Sequence, residues 1–116
     1  MNRKEAMSAI TDSLNRGSCT PCTWREDRDV YIREKSEELL KVVIEPIPVT
    51  IRGEIFNSGT LDDFRGKKIF GVAQRGDHWL LYAPELNRYS LAFGHDPCSL
   101  TILGFSSDDA LAEWLG

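Results

Sequence analysis

The 116-residue chain lacks the features that would assign it to a membrane or secreted class. It has no apolar run near the ~18 residues that a bilayer-spanning helix needs. Its first residues are charged and lack the apolar core of a secretory signal. We therefore expect a cytoplasmic protein with no membrane partner, and its length suits a single α+β domain over residues 1–116.

Clustered basic residues are also missing. Residues 1–66 carry ten basic and twelve acidic side chains, residues 67–116 carry four and six, and the net charge is -4. Nucleic-acid affinity depends on clustered lysine and arginine side chains. The charge balance therefore argues against a nucleic-acid partner.

Common catalytic motifs are absent as well, because the sequence contains no G-x-S-x-G, no H-E-x-x-H and no glycine-rich phosphate loop. The only two histidines are His78 and His95, and each has an aspartate beside it in the sequence. Neighbouring residues on a strand point to opposite faces, so these are not ready-made catalytic dyads. The sequence favours a non-enzyme, and an enzymatic or small-ligand-binding domain that uses His78 is a third hypothesis.

Cysteine is scarce, but two of the three cysteines form a C-x-x-C motif at Cys19 and Cys22. In thioredoxin-like enzymes this motif follows a buried strand and begins a helix. Here it lies well before "FRGKKIF", a segment that resembles the one leading into the first core strand of those families. The chain order argues against a redox dithiol, and a thiol-redox module stays an alternative.

The third cysteine allows a structural zinc site as another alternative. His95 and Cys98 form an H-x-x-C pair, which with Cys19 and Cys22 would complete a four-ligand set. Tetrahedral zinc is bound by such close pairs of soft ligands. This hypothesis requires the fold to bring two distant pairs together. In the competing interpretation the thiols never meet, and Cys98 is a small residue beside a strand. No other cofactor is expected.

Helical signals dominate the first part of the chain. Asn2 followed by Glu5 is typical of a capping box, and Gly17 is a natural stop, which together predict a first helix. Residues 28–44 are ambiguous. Their charge density and apolar spacing favour a helix over roughly the second half, and a hairpin that turns at "KSEE" is the rival interpretation.

A period-two pattern follows and predicts a strand with one apolar face, formed by Ile47, Val49, Ile51 and Ile55. Pro46 and Pro48 cannot donate to a ladder, so this strand should begin at a sheet edge, where β-addition or dimer pairing can occur. Four short apolar runs separated by turn residues then predict an antiparallel meander.

The segment "SSDDALAEWLG" predicts a short closing helix, capped by Ser106 or Ser107. The expected fold class is therefore α+β. It has an N-terminal helix or helices, an antiparallel meander sheet of about five strands and a short C-terminal helix.

Aromatic residues of the predicted sheet are candidates for a protein interface. Trp79, Tyr82 and Tyr89 lie on adjacent predicted strands, whose residues alternate between the two faces. Core packing accounts for most such rings. Any ring left exposed, together with Pro48 at the edge, would mark a partner surface, because tryptophan and tyrosine are favoured interface anchors.

The C-terminal half, from "KKIFGVAQRGDHWLLYAPELNRYSLAFGHD" through "FSSDDALAEWLG", resembles the SUKH immunity superfamily of bacterial proteins, which neutralise toxins by binding them. The resembling features are a meander of short strands followed by Phe105, a serine-capped acidic helix start and the closing pair Trp114 and Leu115. The resemblance implies a non-catalytic binding module with an acidic surface, and it transfers no individual binding residue. We therefore expect a bacterial protein-binding module, either an immunity-type inhibitor or a homodimer.

Overall fold

The computed structural model of the protein describes residues 1–17, 28–56 and 59–115, and their architecture is α+β, which confirms the expected fold class. The described elements, in chain order, are α1 (Arg3–Asn15), α2 (Arg28–Lys41), β1 (Val43–Pro48), β2 (Ile51–Glu54), α3 (Thr60–Phe64), β3 (Phe70–Arg75), β4 (His78–Ala83), β5 (Arg88–Phe93), β6 (Leu100–Ile102) and α4 (Ala110–Leu115). No helix in these three stretches is long and apolar enough to cross a membrane.

Helix α1 begins at the predicted capping box. The Asn2 side-chain oxygen accepts a hydrogen bond from the Glu5 backbone N–H at 2.8 Å, and the Glu5 carboxylate accepts one from the Asn2 N–H at 3.1 Å. Gly17 follows the helix with a φ of +91°, a conformation that glycine adopts at low cost. Ala6 and Ile10 are fully buried, so α1 packs on the domain through this face.

Residues 28–41 form helix α2, so the helical interpretation is confirmed and the rival hairpin is not formed, but the helix begins earlier than predicted. Tyr31 and Leu39 are buried on the inner side of this helix. Val43 belongs to strand β1 rather than to the helix. The run of β-branched residues that starts at Val42 accounts for this boundary, because such side chains favour strands.

The strands described form one six-stranded sheet in the order β1-β3-β4-β5-β6-β2. Consecutive strands from β3 to β6 are antiparallel neighbours, which confirms the predicted meander. Strand β1 pairs antiparallel with β3 at one end of the sheet, and β2 pairs parallel with β6 at the other end. The prolines of β1 therefore do lie on a strand at the end of the sheet.

Only Val49 and Thr50 separate the two end strands, β1 and β2, along the chain. The Val49 N–H donates to the Ile69 carbonyl at 3.1 Å, and the Thr50 N–H donates to the Pro97 carbonyl at 2.8 Å. Strands β1 and β2 are thus the two halves of one bent segment that reaches both ends of the sheet. The sheet has to curl to make this possible, in the manner of a partly closed barrel.

The single strand predicted for this segment is therefore wrong, because the segment forms two strands, and one residue of its predicted apolar face is exposed. Ile47, Val49 and Ile51 pack against the buried cluster inside the curled sheet, as the alternation predicts. Ile55 does not follow them and is 57% exposed. The pairing of β2 with β6 is irregular between Ile51 and Gly53, so the alternation that holds up to Ile51 no longer assigns the face of Ile55.

The curled sheet is apolar on both faces. The inner cluster contains Trp79, Leu81, Ala92, Leu100 and Ile102. The outer cluster lies between the other face and helices α1, α2 and α4. It includes Ala6, Ile10, Leu39, Val72, Leu80, Tyr82, Tyr89, Leu91, Leu111 and Trp114. Strand β4 contributes side chains to both clusters because successive side chains on a strand point to opposite faces.

Buried Ser13 connects helix α1 to the start of helix α4. Its hydroxyl donates to the Asp108 carbonyl at 2.7 Å and accepts from the Ala110 N–H at 2.9 Å. Each of these backbone groups belongs to the segment that begins α4, where N–H groups have no partner within the helix. Ser13 therefore fixes the two helices against each other.

Two further side chains complete the start of α4. The Asp109 carboxylate accepts from the Ala112 N–H at 3.0 Å, while the Ser107 hydroxyl accepts from the Asp109 N–H at 3.2 Å and donates to Glu113 at 2.7 Å. The predicted serine takes part, but the helix cap is Asp109.

Burial raises the pKa of the Glu113 carboxyl above its ordinary value. The Ser107 hydrogen bond opposes this rise, and the negative charge of Asp109 adds to it.

Candidate functional site

The structure describes only two of the four candidate metal ligands, His95 and Cys98. Cys19 and Cys22 lie outside the described residues, so the C-x-x-C motif stays a prediction. Cys98 is exposed, and its N–H donates to the Asp96 carboxylate at 2.8 Å. Over residues 1–17, 28–56 and 59–115, no three His, Cys, Asp or Glu side chains are grouped to hold a metal ion. His95 and Cys98 therefore give no metal centre with the other described residues.

His95 instead pairs with Asp77, a contact that the sequence does not reveal. The His95 Nδ1 lies 2.7 Å from the Asp77 carboxylate, and the Gly94 N–H donates to the Asp77 carbonyl at 3.0 Å. The His95 side chain is 91% exposed, so the pair lies in water rather than in a cleft. His78 is also exposed and packs on the edge of the Phe93 ring, with the ring centroids 5.0 Å apart.

Three of the four predicted interface residues are core residues, which corrects the prediction for them. Trp79 and Tyr89 are at most 2% exposed, and Tyr82 is 7% exposed. The Trp79 indole N–H donates to the Gly94 carbonyl at 2.9 Å, and the Tyr82 and Tyr89 rings stack with centroids 4.5 Å apart. These rings offer no surface to a partner because both faces of β4 and β5 are covered within the chain.

The fourth predicted interface residue, Pro48, is exposed on end strand β1. The other end of this strand is engaged by helix α1, because the Arg3 side chain donates to the Val43 carbonyl at 3.4 Å and the Arg3 N–H donates to the Glu45 carboxylate at 3.2 Å. Two prolines in six residues also remove donors that an added strand would need. Strand β1 is therefore a poor template for β-addition.

The most prominent exposed apolar feature in the described stretches is a pair of phenylalanines, Phe56 and Phe105, which we name the aromatic patch. Phe56 is 51% exposed and Phe105 is 48% exposed, yet their ring centroids are only 5.3 Å apart. Such rings bury large apolar areas when a partner covers them. The aromatic patch is therefore the strongest candidate for a binding surface.

The backbone at Phe56 is held by hydrogen bonds just beyond the end of β2. The Ile55 N–H donates to the Ile102 carbonyl at 3.0 Å, and the Phe56 N–H donates to the Leu103 carbonyl at 2.9 Å. The Leu103 N–H donates in turn to the Leu91 carbonyl of β5 at 3.0 Å. Phe56 thus lies on a bend that backbone hydrogen bonds hold against the end of β6 and the residue that follows it.

The backbone around Phe105 is held from the interior. The buried Ser90 hydroxyl donates to the Phe105 carbonyl at 2.8 Å, and the buried Thr60 hydroxyl donates to the neighbouring Gly104 carbonyl at 2.7 Å. Side-chain hydrogen bonds of this kind satisfy carbonyls that would otherwise be unpaired. Both halves of the aromatic patch are therefore fixed before any partner arrives.

Sequence reasoning missed this patch because its two residues are far apart along the chain. Phe56 follows the period-two segment, and Phe105 follows a glycine after the last short strand. Their proximity depends on the parallel pairing of β2 with β6. A short connection between consecutive strands predicts only antiparallel neighbours, so no local signal indicates this pairing.

Comparison with known proteins adds no relative: no family model matches the chain, and neither the curated proteins nor the solved structures include a match.

Proposed function

We propose that this chain is a non-enzymatic protein-binding module that contacts its partner through the aromatic patch. The observation that carries the proposal is the exposure of Phe56 and Phe105 side by side on a backbone fixed by hydrogen bonds. Phenylalanine pairs exposed in this way are costly in water and are typical of interaction sites.

Burial of the two rings and preorganisation of their backbone both favour binding at the aromatic patch. Full burial of a phenylalanine side chain contributes about 1.5–3 kcal/mol, so covering two half-exposed rings contributes roughly 2 kcal/mol. This corresponds to roughly a 30-fold gain in affinity. Because backbone hydrogen bonds at Phe56 and the Ser90 hydrogen bond at Phe105 already fix the backbone, binding loses little conformational entropy at this surface.

As part of the proposal, the partner is a protein of the toxin class and the chain is a bacterial, cytoplasmic inhibitor of the immunity type. The resemblance of the C-terminal half to the SUKH superfamily supports this choice. The net charge of -4 also suits a basic partner. A second copy of this chain, bound through the same patch, is the alternative partner. The experiment below distinguishes self-association from binding of a foreign protein.

The test compares immobilised wild-type protein with a Phe56→Ser/Phe105→Ser variant in capture from a bacterial lysate, quantified by mass spectrometry. Leu115→Ser is the matched control, because Leu115 is also an exposed apolar residue but lies on α4. We expect a protein that the wild type and the control retain and the double variant loses, with affinity lowered at least 10-fold when remeasured with purified components.

Light scattering of the three purified proteins completes the test. A dimer present in the wild type and lost in the Phe56→Ser/Phe105→Ser variant would assign the patch to self-association instead of a foreign partner. Equal retention of every captured protein by the wild type and the double variant, with all samples monomeric, would contradict the proposal.

A further inference from the structure

A second surface lies at the bend between β1 and β2, where the curled sheet opens. Two adjoining grooves of about 370 and 400 Å³ share Val49, Lys67 and Ile69, and we name their union the mouth groove. Its floor consists of half-buried apolar residues that pack against the inner cluster, namely Val49, Ile51, Leu61 and Ile69. The mouth groove therefore continues the inner core to the surface.

The rim of the mouth groove is basic although the chain as a whole carries a net charge of -4. Arg65, Lys67 and Lys68 line it. Lys68 is exposed and makes no ion pair with any residue of the described stretches. Lys67 reaches the Glu85 carboxylate only at 3.9 Å, and Arg65 pairs with Asp62 at 3.1 Å where both side chains are more than three-quarters exposed.

These rim cations are available to a ligand. Exposed ion pairs contribute at most about 1 kcal/mol, so an incoming anion can displace Glu85 or Asp62 at little cost. Lys67 lines both grooves and Lys68 lines the second one, so two positive charges lie on the rim. An apolar floor below a cationic rim is complementary to a molecule with an apolar body and one anionic end.

We propose that the mouth groove binds a straight-chain monocarboxylate, with the acyl chain on the apolar floor and the carboxylate at Lys67 and Lys68. A small molecule is favoured over a peptide because the groove lies at the open end of a curled sheet, a common place for small-ligand sites, and its volume falls in their usual range of about 300–1,000 Å³. The inference is independent of the proposed function, because the lining residues do not include Phe56 or Phe105.

The proposal makes the affinity depend on chain length and on the sign of the charge. Each buried CH₂ group contributes about 0.8 kcal/mol, which is about fourfold in affinity. Because the groove is open on one side, decanoate should bind roughly 3- to 15-fold more tightly than octanoate. Decylammonium, which has the same apolar chain and the opposite charge, should bind at least 10-fold more weakly than decanoate.

The experiment is a titration of the ¹⁵N-labelled protein with decanoate, octanoate and decylammonium, followed by amide chemical shifts. Saturable decanoate shifts centred on Val49 and Ile69 are expected. Lys67→Glu/Lys68→Glu should weaken decanoate binding at least 10-fold. Lys4→Glu/Lys41→Glu, which changes the net charge equally at exposed residues of α1 and α2, should leave it within twofold. The spectrum of each variant without ligand shows that it is folded.

Three results would overturn the inference. These are equal affinities for decanoate and decylammonium, equal weakening by the two double variants, and shifts that never saturate or centre elsewhere. The Phe56→Ser/Phe105→Ser variant should bind decanoate as the wild type does. A failure here is therefore distinct from a failure of the protein-binding proposal.

Discussion

Gly104 lies directly against the backbone of Phe56. A Cβ atom at position 104 would be 2.1 Å from the Phe56 carbonyl oxygen, far inside van der Waals contact. The φ of Gly104 is +117°, a conformation that residues with side chains rarely adopt. The close approach of these two residues allows Phe56 and Phe105 to meet, so only glycine fits at this position.

Substitution of this glycine should therefore damage both the fold and the aromatic patch. We expect Gly104→Ala to lower the free energy of unfolding by more than 2 kcal/mol, because the backbone clash adds to roughly 1–2 kcal/mol of conformational strain. Gly76→Ala is the matched control, since Gly76 has a φ of +59° and no atom within 4 Å of its added Cβ. Urea denaturation measures the free energy of unfolding of both variants. Equal losses in Gly104→Ala and Gly76→Ala would contradict the close approach of Gly104 to Phe56.

Removal of the Ser13 hydroxyl should destabilise the junction of α1 and α4. Ser13→Ala leaves the Ala110 N–H and the Asp108 carbonyl without this partner, and we expect a loss of roughly 2–3 kcal/mol. Ser36→Ala is the control, because the Ser36 hydroxyl donates at 2.6 Å to the Ile32 carbonyl within the same helix, α2. Its loss should lower the free energy of unfolding by less than about 0.5 kcal/mol. Similar effects of the two substitutions in urea denaturation would refute the assigned role of Ser13.

Glu113 should make stability fall as pH rises. Burial raises the pKa of its carboxyl in the folded protein above the ordinary value of 4.5, so the folded state holds the proton more tightly than the unfolded state. The resulting stabilisation is fully present below pH 4.5 and is lost as pH rises through the raised folded-state pKa.

Glu113→Gln tests this dependence because glutamine stays neutral at every pH. The variant should gain stability relative to the wild type as pH increases from 4.5 to neutrality, measured as the free energy of unfolding in urea at each pH. Glu37→Gln, at an exposed position of α2, controls for the change in net charge. A difference between Glu113→Gln and the wild type that does not change with pH would show that the carboxyl is not buried as described.

Loss of the hydroxyl should affect the free energy of unfolding differently at the two stacked tyrosines. The Tyr89 hydroxyl is buried and has no hydrogen-bond partner among residues 1–17, 28–56 and 59–115, so Tyr89→Phe should be neutral or stabilising by up to about 1 kcal/mol. The Tyr82 hydroxyl pairs with the Asn87 side chain at 2.9 Å, so Tyr82→Phe should cost about 1 kcal/mol. Thermal and urea denaturation compare them, and an equal cost for both variants would contradict the assignment.

The elements that sequence predicts well are those specified by neighbouring residues. The capping box of Asn2 and Glu5 and the stop at Gly17 predict α1, and both are observed. The meander from β3 to β6 follows from short turns, which allow only antiparallel neighbours. The correct fold class follows from these local signals.

The features that sequence does not reveal depend on contacts between distant residues. The alternation from Ile47 onward predicts one strand, but it cannot indicate that the chain bends at Val49 and Thr50 and pairs with β3 on one side and β6 on the other. The pattern also assigns Ile55 to the wrong face, because it cannot reveal the irregular pairing between Ile51 and Gly53 in β2. The aromatic patch is created by that parallel pairing, so it is visible only in the folded chain.

The central claim, that the aromatic patch binds a protein, is tested most directly by site-specific photo-crosslinking in bacterial cells. A photoreactive phenylalanine replaces Phe105 in one variant and the exposed Glu37 of α2 in a control. We predict one dominant adduct of fixed mass from position 105 and none from position 37. An adduct with the mass of two copies of this chain would identify self-association, whereas no specific adduct from position 105 would contradict the claim.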